Sequence, residues 1–240
     1  MTLELYLNDS YLRASEATVT GVDERGIRLD RTPFYAAGGG QPGDRGVLRT
    51  GGGAEIPIAV AVRDRTTREV LHVPAEGAAF TLSPGDRVSA EIDWDLRYRH
   101  MRTHTCLHLL CSLLPYPVTG GSVRAGSGRL DFDIPEPIVD KDALTAQLNA
   151  LIARNAPVRV QSISEAELRA SPELVRTLEV GPPVVDGRVR VIDIEGIDRQ
   201  PCGGSHLRAT GEIGPARVAR IEKKGRINRR IEIALDAPPA

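Results

Sequence analysis

The sequence predicts an α+β protein built in two parts, an all-β region over residues 1–92 and an α+β region over residues 93–240. Three observations carry this expectation. Short β-branched runs separated by turn signals fill the first 92 residues. At Asp93 the hydrophobic period changes from alternation to helical spacing. Beyond that point helical stretches and alternating strands follow one another, with no long flexible linker at the boundary.

In the first region the strand-like runs are 17–22, 26–30, 45–49, 56–63, 70–73 and 87–92, with turns expected at 21–26, 51–53 and 84–86. Their number and spacing fit a small barrel or sandwich. A helix is expected over 93–114, where Met101, Cys106, Leu109, Leu110 and Leu113 recur at helical spacing. Asp93 or Asp95 can cap its start, and Pro115 and Pro117 end it. Residues 118–134 read as a turn and a strand. Residues 140–155 read as a second helix with Asp140 as N-cap and Leu144, Leu148, Leu151 and Ile152 on one stripe. A strand over 158–162 follows, and the capping-box pattern Ser164-Glu165-Ala166-Glu167 opens a short helix. Residues 188–194 alternate like a strand, and 217–222 with 229–235 flank Lys224-Gly225 as a hairpin.

Composition excludes several classes. With 41% hydrophobic and 26% charged residues, the chain has enough apolar surface to fold and is no disordered tail. No apolar run approaches the roughly 20 residues of a membrane span, and MTLELYLNDS has neither the basic start nor the apolar core of a secretory signal. A net charge of −1 argues against an indiscriminate nucleic-acid binder, although it leaves room for a local basic face. Three cysteines, an odd number, make a disulfide framework improbable and fit a reducing cytoplasm.

The densest chemical signal lies in the histidines and cysteines. Three of the five histidines, His100, His104 and His108, fall at four-residue intervals, and Cys202 is followed by His206. Residues four apart on a helix share a face, so His104 and His108 can direct both imidazoles at one ion. The glycines beside Cys202 and His206 let the backbone bend so that both reach one point. Two or three nitrogens and a thiolate suit tetrahedral Zn²⁺ and do not suit Mg²⁺ or Ca²⁺. His100 cannot share an ion with His108, because eight residues of helix separate them by about 12 Å. It is a candidate for a role around the ligands or toward substrate. Cys106 faces the core. HTCLH lacks the glutamate of HExxH, which disfavours a metalloprotease, and no PCxxC follows, which disfavours a cytidine deaminase. A packed histidine pair with an unrelated thiol is the plain alternative.

Two further segments stand out. FYAAGGGQPGD at 34–44 is neither a P-loop nor a dinucleotide fingerprint. Gly38, Gly39 and Gly40 allow close approach of backbone to a ligand, with Gln41 beside them as a hydrogen-bonding group, or else they form a tight barrel corner. RVARIEKKGRINRR at 217–230 carries seven basic residues and one acidic. As a hairpin, Arg217, Arg220, Lys223, Lys224, Arg226, Arg229 and Arg230 would face phosphates, or would be an ordinary solvated surface.

Taken together these segments resemble a known family. HTCLH at 104–108 resembles the HTATH-type motif of the alanyl-tRNA synthetase editing domain, and CGGSH at 202–206 resembles its CGGTH motif. FYAAGGGQPGDRG at 34–46, GSGRLDFD at 126–133 and GRINRRIEI at 225–233 are similar to three further stretches in the same order. The similarity spans most of the chain and is to the free-standing AlaX proteins that carry an extra N-terminal β-domain, with no aminoacylation domain before it and no oligomerisation tail after it.

The resemblance implies a β-barrel over 1–92 carrying the glycine-rich motif. It implies a zinc-binding editing domain over 93–240, of the type shared by threonyl- and alanyl-tRNA synthetases. It also implies hydrolysis in the cytoplasm of tRNA(Ala) mischarged with serine, or glycine, and Zn²⁺ ligation by His104, His108, Cys202 and His206. Ser205 stands where the synthetases usually have Thr, and Gly120 where they often have Gln, so the role of that glutamine does not transfer. Because an apolar pocket cannot strongly reject a hydroxyl-bearing isostere, a site selective for serine must hydrogen-bond its hydroxyl. Thr105 and Gln41 are the candidates for that contact. The alternatives are a zinc-stabilised tRNA-binding module without turnover, a deacylase for another aminoacyl-tRNA, and a purely structural β-plus-α protein without metal.

Overall fold

Alternating apolar residues in the first region face the inside of a closed barrel. In the computed structural model, which describes residues 2–135, 140–176, 184–185 and 187–237, two compact units divide at Tyr98/Arg99. The first contains β1 (Leu3–Glu4), β2 (Ala14–Asp23), β3 (Gly26–Leu29), β4 (Arg31–Thr32), β5 (Gly46–Thr50), β6 (Glu55–Arg63), β7 (Val70–Pro74) and β8 (Arg87–Ile92). Six of them close in the order β2-β3-β7-β6-β5-β8, while β1 and β4 form a short parallel pair. Inward positions such as Val19, Ile27, Leu29, Leu48, Ile56, Val88 and Ala90 make one buried core with Phe34. Closure brings backbones together: a Cβ on Gly43 would lie 1.9 Å from the Ala61 carbonyl oxygen, so only glycine fits there. The expected 21–26 turn is narrower, because β2 runs to Asp23 past an irregularity between Val19 and Gly21 and pairs Asp23 with Gly26.

One buried histidine makes the barrel acid-sensitive. His72 on β7 is fully buried and donates from Nδ1 to the Ile27 carbonyl (3.0 Å), while Nε2 accepts from the Thr32 hydroxyl (2.7 Å). Burial pushes its pKa from 6.5 down to about 4. The folded state therefore favours neutral His72, and protonation favours the unfolded chain. The contribution is complete above pH 6.5 and is lost as pH falls through about 4. In denaturant titrations, the stability advantage of the wild type over His72→Leu is expected to shrink by about 3 kcal/mol between pH 7 and pH 4. A gap that stays constant would contradict this assignment.

The second unit begins within α1 (Trp94–Leu113) and continues through β9 (Val118–Arg124), β10 (Ser127–Asp133), α2 (Lys141–Ala153), β11 (Val158–Ser164), α3 (Glu165–Ala170), β12 (Val184–Val185), β13 (Arg188–Ile194), β14 (Asp198–Pro201), β15 (Ala216–Lys223) and β16 (Asn228–Leu235). Asp93 caps α1 by accepting from the Leu96 N–H (3.0 Å), as its position before the helical run predicts. Unlike an amphipathic surface helix, α1 is buried at every position from His100 to Cys111. One contact explains how it packs so closely in this unit: a Cβ on Gly128 of β10 would sit 2.8 Å from Thr103 Cγ2.

Residues 118–134 form a hairpin instead of a turn and a strand. Gly120 and Gly121 lie within β9 opposite Asp131 and Leu130. The Leu130 side chain fills the space over Gly121, 3.0 Å from where a Cβ would stand. The resulting sheet has the order β15-β16-β10-β9. Its edge strand β15 is covered by α2: Asn149 donates to the Ala216 carbonyl (2.6 Å) and accepts the Ala216 N–H (3.1 Å), and Thr145 accepts the Val218 N–H (3.0 Å). A second sheet joins β11, β13 and β12, with β14 on β13. Asp140 caps α2 and Ser164 forms the expected capping box at α3.

Candidate metal centre

The helical spacing of His104 and His108 puts both rings on one face of α1. The chain leaving β14 then turns to bring Cys202 and His206 to them. One ligand atom from each of the four residues lies within 4.8 Å of all the others. Cys202 Sγ is 3.6 Å from His104 Nε2 and 3.3 Å from His206 Nε2. Ordinary zinc–sulfur and zinc–nitrogen lengths in a tetrahedron give a ligand-to-ligand edge of about 3.6 Å. The three histidines are buried and the cysteine partly so. The donor set, its spacing and its burial therefore fit a tetrahedral divalent cation that accepts nitrogen and sulfur donors.

The groups around the ligands fix which atoms face inward. His108 Nδ1 meets Asp198 Oδ2 at 3.0 Å, and His206 Nδ1 meets Thr105 Oγ1 at 3.1 Å, which leaves Nε2 of each ring for an ion. Thr105 Oγ1 also accepts the Leu207 N–H (3.2 Å). Arg190 holds the loop. It donates to the carbonyls of Cys202 (2.7 Å) and Gly204 (2.9 Å), its own carbonyl accepts the Cys202 N–H (3.1 Å), and the Gly204 N–H points at Cys202 Sγ (3.4 Å).

Charge within the cluster is strongly perturbed. Burial raises the Cys202 pKa, but His104 and His206 beside it outweigh burial and hold the thiol well below its usual range, which favours the thiolate, the form that can bind a soft cation. Burial lowers His108, yet the hydrogen bond to Asp198 and the neighbouring Cys202 lift it to about 10. Burial and the proximity of His104 hold His206 well below its usual value.

Known proteins resemble this chain along most of its length. The model for the second additional domain of threonyl and alanyl tRNA synthetases matches residues 189–232, which include Cys202 and His206, and a class II (A) tRNA synthetase model matches residues 9–96. The alanyl-tRNA editing protein AlaX-M of Methanosarcina acetivorans is 38% identical over 98% of this chain and 99% of its own length. The chain belongs to the AlaX family of alanyl-tRNA editing proteins. AlaX-M of Saccharolobus solfataricus is 32% identical over 96% of this chain and 98% of its own. An alanine–tRNA ligase of Pyrobaculum aerophilum is 34% identical over 92% of this chain, a match covering 25% of the ligase.

Within this AlaX chain the other expected site residues are placed as follows. Thr105 is fully buried against His206 and the Leu207 N–H, and its hydroxyl oxygen meets the His206 ring. His100 is buried one turn before His104 and is not among the four grouped residues. In the first unit, Gly38 and Gln41 close a tight turn by reciprocal backbone hydrogen bonds (3.1 and 2.9 Å), with Gly39 and Gly40 at φ of 54° and 79°. Tyr35 donates to the Gly38 carbonyl (2.7 Å), and the Gln41 side chain is buried. The segment is thus a tight turn with two left-handed glycines.

The basic segment does form the β15–β16 hairpin, but it is not a row of seven free cations. Arg229 is buried and donates to the Asn228 carbonyl. Arg230 pairs with Asp131 (2.7 Å), Arg217 with Asp236 (3.4 Å), and Arg220 and Lys224 with Glu222 (2.5 and 2.7 Å). Lys223 and Arg226 are exposed at the hairpin end, with no acidic partner among the described residues. Sequence reasoning missed Asp198, Gln200 and Arg190. No helix among the described residues is long and apolar enough to cross a membrane.

Proposed function

We propose that the chain is a trans-editing deacylase that hydrolyses the ester joining serine to tRNA(Ala) at a Zn²⁺ site formed by His104, His108, Cys202 and His206. Membership of the alanyl-tRNA editing family makes it a hydrolase of the aminoacyl-tRNA ester bond. The observation that carries the zinc reading is the convergence of three imidazoles and a thiolate within 4.8 Å. When bound, Zn²⁺ supplies a Lewis acid that polarises an oxygen of the ester or of water. The chain's own residues hold that centre: Thr105 and Asp198 orient two of the rings, and Arg190 fixes the loop carrying the thiolate. In the first unit, the Gly38–Gln41 turn is proposed as a substrate-contacting element.

A second reading is favoured by one observation. Four protein ligands complete a tetrahedron, as in structural zinc sites, which is the arrangement of a zinc-stabilised tRNA-binding module without turnover. A deacylation panel separates the two. With tRNA(Ala) charged in turn with serine, glycine and alanine, we expect catalytic release of serine, and sparing of the alanine ester by about 10⁴-fold for a site that hydrogen-bonds the hydroxyl. Binding of all three without release would establish the module instead.

For tRNA, Lys223 and Arg226 are proposed as phosphate contacts, because the other hairpin cations are ion-paired or buried. Lys223→Glu with Arg226→Glu is expected to weaken tRNA binding and to flatten the slope of log affinity against log salt by about 1.5. An unchanged slope would remove these residues from the interface.

A further inference from the structure

Strand β14 presents a row of side chains at every second position. It pairs with β13 in the register Ile194↔Asp198 and Ile192↔Gln200. Asp198 and Gln200 are buried while Arg199 between them is exposed, and Cys202 continues the same parity just past the strand. The strand that delivers the thiolate thus delivers a carboxylate and an amide to the same side. Asp198 Oδ2 meets His108 Nδ1 at 3.0 Å and accepts from Gln200 Nε2 at 2.7 Å. Its carboxylate is held between two donors, and its side chain is 3% exposed.

We infer that Asp198 is a positioning residue of the metal centre, with Gln200 as its brace, and that the pair sets how tightly the ion is held. This rests on the reading that the four residues bind a cation. Two physical effects act together. A neutral imidazole has two tautomers, and a carboxylate at Nδ1 keeps the proton there and the lone pair on Nε2, pointed at the ion. Charge is the second effect. A divalent cation with the single thiolate of Cys202 leaves a buried centre at +1, and the Asp198 carboxylate brings it to zero. An uncompensated buried charge is costly, so removing this carboxylate weakens cation binding even where the ring keeps its place.

The test is metal affinity of the full chain, measured by competition with a chelator for zinc and by the absorption spectrum of the cobalt(II)-substituted protein. Asp198→Asn keeps the shape and removes the charge. It is expected to weaken zinc by about 10- to 100-fold and to alter the cobalt bands. Gln200→Leu keeps the charge and removes the brace, with an expected loss of about tenfold or less. Zinc affinity for Asp198→Asn within about twofold of wild type, with an unchanged cobalt spectrum, would overturn the inference. If Asp198→Asn does not fold, Gln200→Leu decides: weaker zinc supports the inference and unchanged zinc overturns it. A wild-type chain that binds neither metal would instead overturn the metal reading itself, so the two failures are distinguishable.

Discussion

Cys202→Ala is expected to lose both bound zinc and deacylation, while Cys106→Ala keeps both. The three cysteines differ in environment. Cys202 Sγ stands 3.3 and 3.6 Å from two imidazole nitrogens, and those rings hold it as thiolate. Cys106 is fully buried, and burial pushes its pKa up to about 12, so it is an inert thiol packed in the interior. A four-ligand zinc site binds with about 10–16 kcal/mol in all. Loss of the one anionic ligand therefore lowers affinity by on the order of 10²- to 10³-fold. His104→Ala removes a ligand of the same set and is expected to act in the same direction with a smaller loss. Metal content by elemental analysis and release of serine from mischarged tRNA(Ala) measure the two effects side by side. A Cys202→Ala protein with full zinc would remove the thiolate from the centre.

The largest stability effect is expected in the first unit. Arg97, at the start of α1, is fully buried against Asp44, which is 1% exposed. Arg97 also donates to the carbonyls of Ser10 (2.9 Å) and Pro33 (2.7 Å), and Asp44 accepts the Tyr35 N–H (2.6 Å). Removing either partner strands a buried charge together with two carbonyls or an amide. Arg97→Met or Asp44→Ala is expected to cost about 3–5 kcal/mol in denaturant unfolding. The double variant is expected to lose less than the sum of the two, because neither charge is then left alone. A single-variant loss below about 1 kcal/mol would show that the pair is solvated in solution.

Much of this was legible in the sequence because the signals were local. Strand 87–92 alternates, and its register on the barrel follows that alternation residue by residue. The Asp140 and Ser164 caps are set by neighbours two and three residues away. The His104/His108 and Cys202/His206 pairs were visible because each holds two candidate ligands four residues apart. What escaped depends on pairing between distant segments. Asp198 and Gln200 acquire meaning only when β14 lies on β13 and faces α1, although a period-2 row ending at Cys202 was present to be read. The first strand within 118–134 escaped because Gly120 and Gly121 carry no strand signal of their own; β10 builds it from opposite, where Asp131 and Leu130 occupy the space a side chain would take. The basic hairpin looked freer of partners than it is because Asp131 and Asp236, which pair with Arg230 and Arg217, come from other positions in the chain.

Removing and restoring the metal tests the central claim most directly. Purified protein is expected to contain one zinc per chain, to lose hydrolysis of Ser-tRNA(Ala) when a chelator strips it, and to recover when zinc is returned. Undiminished hydrolysis by protein shown to be free of divalent metal would contradict it.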